Sequence, residues 1–102
     1  MRHAFDDTTS LRLDCREIDE WDSGHDPQAV HVPMSELPSR VDALDRARRI
    51  IVICRSGNRS GKVTAWLTGL GFDAVNMTGG MQSWAAAGLP VVDHVGASGR
   101  VI

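Results

Sequence analysis

Hydrophobic and polar residues alternate with a period of two at Leu11, Leu13 and Cys15, which are separated by Arg12 and Asp14; this predicts a strand. Glu17-Ile18-Asp19-Glu20-Trp21 then predicts a short acidic helix, its carboxylates well placed near a helix N-terminus, with Gly24 as its stop. Val30 and Val32 flank His31 in a second short strand that Pro33 ends. Ser35 reads as the cap of a helix carrying Leu37, Val41 and Leu44 at helical spacing, with Pro38 in the first turn, where its missing N–H costs little. Ile50-Ile51-Val52-Ile53 is an unbroken β-branched run, the pattern of a strand buried on both faces of a parallel sheet.

From Ser60 the stripe Val63, Trp66, Leu67 and Leu70 predicts a helix with Gly71 just beyond its end. Ala74-Val75-Asn76-Met77 predicts one more strand. Gly79-Gly80 turns the chain into a helix whose inner face is Met81, Trp84 and Ala85, closed by Gly88 and Pro90. Trp66 and Trp84, and Trp21 with them, are expected in the core. Strand and helix alternate throughout, so the expected class is α/β, a mostly parallel sheet covered by helices. The first ten residues and the last ten, from Asp93 on, carry no pattern and read as tails or as seams to a larger polypeptide.

Composition narrows this picture. The 102 residues fit one domain over 1–102 with its core at about 11–92. A net charge of -2 gives no reason to expect nucleic acid or an anionic membrane as partner. The short run Arg46-Ala47-Arg48-Arg49, faced by Asp42 and Asp45, reads as a solvated helix end. No apolar stretch approaches the ~18 residues of a membrane span. Met1-Arg2-His3-Ala4-Phe5-Asp6-Asp7 turns acidic at once and is no signal peptide, so a cytoplasmic location is expected. Cys15 and Cys54 would make a thin disulfide framework and read as free thiols. With His3, His25, His31 and His94 they fit no zinc spacing, so neither metal nor cofactor is expected.

Candidate chemistry concentrates at Cys54. It follows the most buried strand, and a helix opens about six residues later; open α/β sheets gather their sites at such strand ends. Between them lie Arg55, Ser56, Gly57, Asn58, Arg59 and Ser60, a loop with a glycine for a tight curve and small or polar residues that leave backbone N–H groups free. Such a loop wraps amides around an anion, with the following helix N-terminus adding positive potential. A cysteine at its centre is held as thiolate, and Arg55 and Arg59 supply guanidiniums for an anionic substrate. A cysteine after a buried strand is otherwise often only a small hydrophobe, but a core thiol has no use for two arginines and a glycine turn. The neighbouring Gly57-Asn58-Arg59-Ser60-Gly61-Lys62 is not a nucleotide-binding P-loop. It has three residues between its glycines where that motif needs four, and Val63 stands where a metal-binding hydroxyl belongs.

Cys54-Arg55-Ser56-Gly57-Asn58-Arg59-Ser60, with Trp66-Leu67, Gly71-Phe72, Val75, Gly79-Gly80 and Trp84, resembles the catalytic half of a rhodanese-like domain. Leu13-Asp14-Cys15-Arg16-Glu17, Glu20-Trp21, Gly24-His25 and Val32-Pro33 resemble the same family's N-terminal signature, so the similarity runs from about Leu11 to Val92. The resemblance implies a three-layer α/β/α fold and a single-domain sulfurtransferase in which Cys54 accepts a sulfane sulfur, becomes a persulfide and passes it to a thiophilic acceptor. Arg55 and Arg59 favour a doubly charged donor such as thiosulfate, and two-step covalent catalysis implies ping-pong kinetics. Cyanide, a small thiol or a partner protein are the acceptors in view. Asp14 and Arg16 read as structural charges near the site, and His25 as a local hydrogen-bonding residue.

The chain departs from the family where Cys15 replaces an aliphatic residue, and where Asp26 and Gln28 replace an Ile and a Gly; the last two bear on the turn after His25. Cys15 more simply faces the core than serves as a second thiol that resolves the persulfide. Two other functions compete. A phosphatase or arsenate reductase has five residues between its cysteine and arginine, whereas Cys54 and Arg59 have four between them, a smaller cradle. A non-catalytic binding or sulfur-carrier module is the other; such modules often lack the cysteine that this chain keeps.

Overall fold

In the computed structural model, which describes residues 9–102, four parallel strands form one sheet in the order β2-β1-β3-β4. They are β1 (Leu11–Asp14), β2 (Val30–His31), β3 (Ile50–Ile53) and β4 (Ala74–Asn76), and the helices are α1 (Ile18–Ser23), α2 (Leu37–Arg40), α3 (Asn58–Gly69) and α4 (Gly80–Ala86). The expected N-terminal tail and the reading of the first residues as no signal peptide lie outside the described residues. Among the described residues, no helix is long and apolar enough to cross a membrane.

The β-branched run is β3, and all four of its residues are buried. Its alternation splits the core in two. Ile50 and Val52 join Leu13, Cys15, Val32, Leu37, Val63, Leu67 and Phe72 on one face, under α2 and α3. Ile51 and Ile53 join Met77, Met81 and Trp84 on the other, under α4. A helix–sheet–helix sandwich results, as the alternating pattern implies. Burying each of Leu13, Ile50, Ile53 and Leu67 stabilises the fold by roughly 1.5–3 kcal/mol.

Three details differ from the sequence reading. The helix expected behind Ser35 is broken into a 3-10 turn (Met34–Glu36), one turn of α-helix (α2) and a second 3-10 turn (Val41–Ala43). Pro38 withholds an N–H, and the Ser39 hydroxyl donates to the Glu36 carbonyl at 2.9 Å instead of leaving it to the helix ladder. Trp66 is 38% exposed and Leu70 41%, while Val63 and Leu67 are buried, so α3 rests on a narrower stripe than its apolar residues suggest. The segment after Pro90 is packed: His25 and Val92 exchange backbone hydrogen bonds at 2.8 and 2.9 Å, the Arg100 N–H donates to the Ser23 carbonyl at 2.9 Å, and Val101 joins the α4-side core. Gly24 is required there, since a Cβ would overlap the Arg100 backbone.

The departures at Asp26 and Gln28 have a common partner. Arg12 points to the α4 side of the sheet, 5.3 Å over the Trp84 ring. Its Nε donates to Asp26, and its Nη2 donates to Asp26 Oδ1 at 3.2 Å and Gln28 Oε1 at 3.1 Å. Asp26 also accepts from the Gln28 N–H at 3.0 Å, which shapes the turn after His25. A buried guanidinium must be paired. Asp26 and Gln28 meet that requirement together.

Candidate active site

β3 delivers Cys54 to the carboxyl edge of the sheet, and the chain turns through Arg55, Ser56 and Gly57 into α3. Gly57 takes a φ of +104°, a left-handed conformation that side chains resist. The turn brings backbone donors back onto the sulfur. The Gly57 N–H lies 3.0 Å from Cys54 Sγ and the Ser60 hydroxyl 3.2 Å away, and the amides of Ser56 and Ser60 add to them. Burial pushes the Cys54 thiol up, but the hydrogen bonds from the Ser60 hydroxyl and the amides of Ser60, Gly57 and Ser56 outweigh it, so its pKa lies below the ordinary thiol value.

The loop faces its amides inward because its carbonyls are held outward. The Cys54 carbonyl accepts from the Met81 N–H at 2.8 Å and the Arg55 carbonyl from the Gln82 N–H at 3.0 Å, both in the first turn of α4. That approach needs Gly80, at φ +55°, where a Cβ would overlap the backbone of Cys54 and Arg55. The glycine pair therefore shapes the cradle from behind.

Asn76, at the end of β4, supports the same loop and is a residue that the sequence reading treats only as strand. Its Nδ2 donates to the Gly57 carbonyl at 3.0 Å, which orients the amide so that Oδ1 faces the Ser60 hydroxyl at 2.5 Å. Ser60 has one proton and two acceptors, Asn76 Oδ1 and Cys54 Sγ. The available signal was a polar side chain at the carboxyl end of a strand.

Both arginines of the loop have partners. Arg59 Nη1 and Nη2 donate to the two oxygens of Glu20, each at 2.7 Å. This pairing lowers the Glu20 pKa and raises that of Arg59. Arg55 Nε donates to the Ile102 carbonyl at 2.9 Å, and with the Gln82 amide turned to face it, the Gln82 oxygen accepts from both Arg55 Nη atoms at 3.1 and 3.2 Å. Ser56 and Ser60 contribute amides to the cradle, Gly57 its turn, and Asn58 the first residue of α3.

Asp14 and Arg16 form a fully buried pair at 2.8 Å, and Arg16 Nη2 also donates to the Gly24 carbonyl at 2.8 Å, tying the end of β1 to the end of α1. His25 donates from Nδ1 to the Trp21 carbonyl and His31 from Nε2 to the Arg16 carbonyl, both at 2.7 Å. Their rings stack on Trp21, at 3.7 and 4.7 Å between centroids. Cys15 is fully buried; burial, then the charges of Cys54 and Asp14, push its thiol up to about 12. Beside α3, Trp66 and Met34 line an open apolar groove of about 250 Å³ with Leu37, Pro38, Val63 and Lys62.

A parallel sheet with an amide-lined cysteine loop at its carboxyl edge is the arrangement that the sequence resemblance implies, and the comparisons name the family. Residues 2–87 match the rhodanese-like domain model, and the chain belongs to that family. YtwF of Bacillus subtilis, a sulfurtransferase by name, is 43% identical over 71% of this chain and 70% of its own. A sulfurtransferase of Allochromatium vinosum is 37% identical over 80% of this chain and 78% of its own. The crystal structure of a rhodanese-related protein from Thermoplasma volcanium superposes with a TM-score of 0.79 at 38% identity, covering 82% of this chain and 84% of that one. These relatives support a function of the sulfurtransferase type.

Proposed function

We propose that the chain transfers sulfane sulfur from a small anionic donor, thiosulfate, through a persulfide on Cys54. The Cys54 thiolate attacks the outer sulfur of thiosulfate, the S–S bond of the donor breaks, and sulfite leaves with the electron pair. An acceptor nucleophile, a thiol or cyanide, then attacks the outer sulfur of the persulfide and returns Cys54 as thiolate. The observation that carries this reading is the ring of donors around Cys54 Sγ, amides of Ser56, Gly57 and Ser60 and the Ser60 hydroxyl. These donors stabilise a thiolate without a general base and then a persulfide anion in its place. Arg59 adds positive charge for a doubly charged donor, moderated by Glu20. The four-residue spacing from Cys54 to Arg59 makes a small cradle, which favours a sulfur atom over a tetrahedral oxyanion.

A protein acceptor is a second reading. YrkF of Bacillus subtilis, a sulfur carrier protein by name, is 38% identical over 81% of this chain and 46% of its own. The test of the covalent route is steady-state kinetics with thiosulfate against cyanide and against a thiol. Parallel double-reciprocal lines, and loss of at least a thousandfold in Cys54→Ser, are expected; intersecting lines or an active Cys54→Ser would refute the covalent route.

A further inference from the structure

Cys15 is a buried nucleophile that the transfer cycle leaves unused. β1 and β3 run parallel with Asp14 opposite Ile53, and the Cys15 N–H donates to the Ile53 carbonyl at 2.9 Å. That bond closes the last rung of the ladder, and Cys15 and Cys54 are the next residues along the two neighbouring strands. Both belong to the same core cluster, with Leu13 and Val52 preceding them on that face. Neighbouring strands lie about 4.8 Å apart, inside the range of about 4.4–6.8 Å between Cα atoms that a disulfide spans. The two thiols also sense each other, since the charge of Cys54 helps to keep Cys15 protonated.

We infer that Cys15 resolves the Cys54 persulfide when no acceptor arrives, releasing sulfide and closing a Cys15–Cys54 disulfide. This rests on the persulfide reading above. The Cys15 sulfur attacks Cys54 Sγ and forms the new S–S bond. The bond from Sγ to the outer sulfur breaks, and that sulfur leaves with the electron pair as hydrosulfide, taking up the Cys15 proton. Cys15 is oxidised, the outer sulfur is reduced and Sγ keeps its oxidation state, so the persulfide itself is the oxidant. An external thiol reductant then restores both cysteines.

The magnitudes set the rate. A thiol with a pKa of about 12 is thiolate about once in 10⁵ at pH 7. Well-oriented intramolecular reactions have effective molarities of about 10⁵–10⁸ M, which offsets that fraction. The raised pKa therefore does not prevent the step, which competes with attack by an acceptor and proceeds in its absence. A loaded protein without an acceptor empties once and stops.

The test loads the protein with thiosulfate, removes the donor, and follows intact mass and released sulfide without acceptor, for the parent, Cys15→Val and Cys15→Ser. The parent is expected to gain one sulfur and then lose it with about one sulfide released per chain. It ends two hydrogens lighter than the reduced chain, with no alkylatable thiol until a reductant is added. Both variants load, which reports their fold, and keep the sulfur at least tenfold longer. Equal persistence in parent and variants overturns the inference, as does loss of sulfur from a parent whose two thiols both still alkylate. Failure of all three proteins to gain sulfur is a different result, which refutes the persulfide reading and the inference with it.

Discussion

Glu20 holds Arg59 by both Nη atoms of its guanidinium, at 2.7 Å each, while its Oε1 also accepts the Glu17 N–H at 3.2 Å in the capping box of α1. One carboxylate therefore starts a helix and sets the position and effective charge of the arginine beside the cysteine loop. Because the helix cap fixes Glu20, Arg59 is pre-oriented and loses little entropy on meeting a donor.

Glu20→Gln keeps an oxygen for the capping box and removes the charge that offsets Arg59. The KM for thiosulfate is expected to fall roughly fivefold, equivalent to about 1 kcal/mol, and its dependence on salt to steepen. Steady-state kinetics at low and moderate ionic strength measure both effects. Arg59→Gln is expected to raise the same KM.

The lowered pKa of Cys54 fixes the direction of a pH profile. Its thiolate form is favoured on folding, so alkylation by iodoacetamide is expected to stay fast below the ordinary thiol value of about 8.5 and to decline only as pH falls through the depressed value. The matching stability is fully present above the unfolded value and is lost as pH falls through the folded one. Ser60→Ala removes one donor to the sulfur and is expected to move the alkylation midpoint upward. Cys15, raised to about 12, is expected to remain unlabelled throughout that range.

Gly80→Ala places a methyl group against the carbonyls of Cys54 and Arg55 at a positive φ. A loss of about 2–3 kcal/mol in denaturant unfolding is expected, with a larger loss of turnover than of secondary structure, because the loop's outward carbonyls lose the Met81 and Gln82 donors.

Arg12 and Asp26 are a buried pair, with side chains 9% and 1% exposed. Asp26→Ala removes the carboxylate that faces the buried guanidinium and is expected to cost about 3–5 kcal/mol. Arg12→Leu combined with Asp26→Ile is expected to recover most of that stability, since apolar residues of similar volume often replace a buried pair at no net cost. Denaturant unfolding of Arg12→Leu, Asp26→Ile and the variant that combines them reads the coupling.

The fold was legible wherever periodicity reports burial directly. The run at Ile50–Ile53 announced the central strand, and the position of Cys54 after it announced the edge where chemistry gathers. The break in the helix behind Ser35 was less visible, because Leu37, Val41 and Leu44 keep α-helical spacing across it. Trp66 shows the limit of a stripe, which gives the direction of a buried face but not its width. The partners of Arg59, Arg55 and Ser60 were not legible. Glu20, Ile102 and Asn76 reach them only because the parallel crossovers bring distant segments to one edge of the sheet. Asp26 and Gln28 were legible as departures in one turn, but their shared partner Arg12 was not.

The central claim is that Cys54 carries the transferred sulfur. Its most direct test is the intact mass of the protein after brief exposure to thiosulfate, for the parent and Cys54→Ser, with sulfite release counted in parallel. The account predicts a gain of one sulfur atom in the parent, about one sulfite per chain, and neither in Cys54→Ser. A gain in both proteins, or in neither, would contradict it.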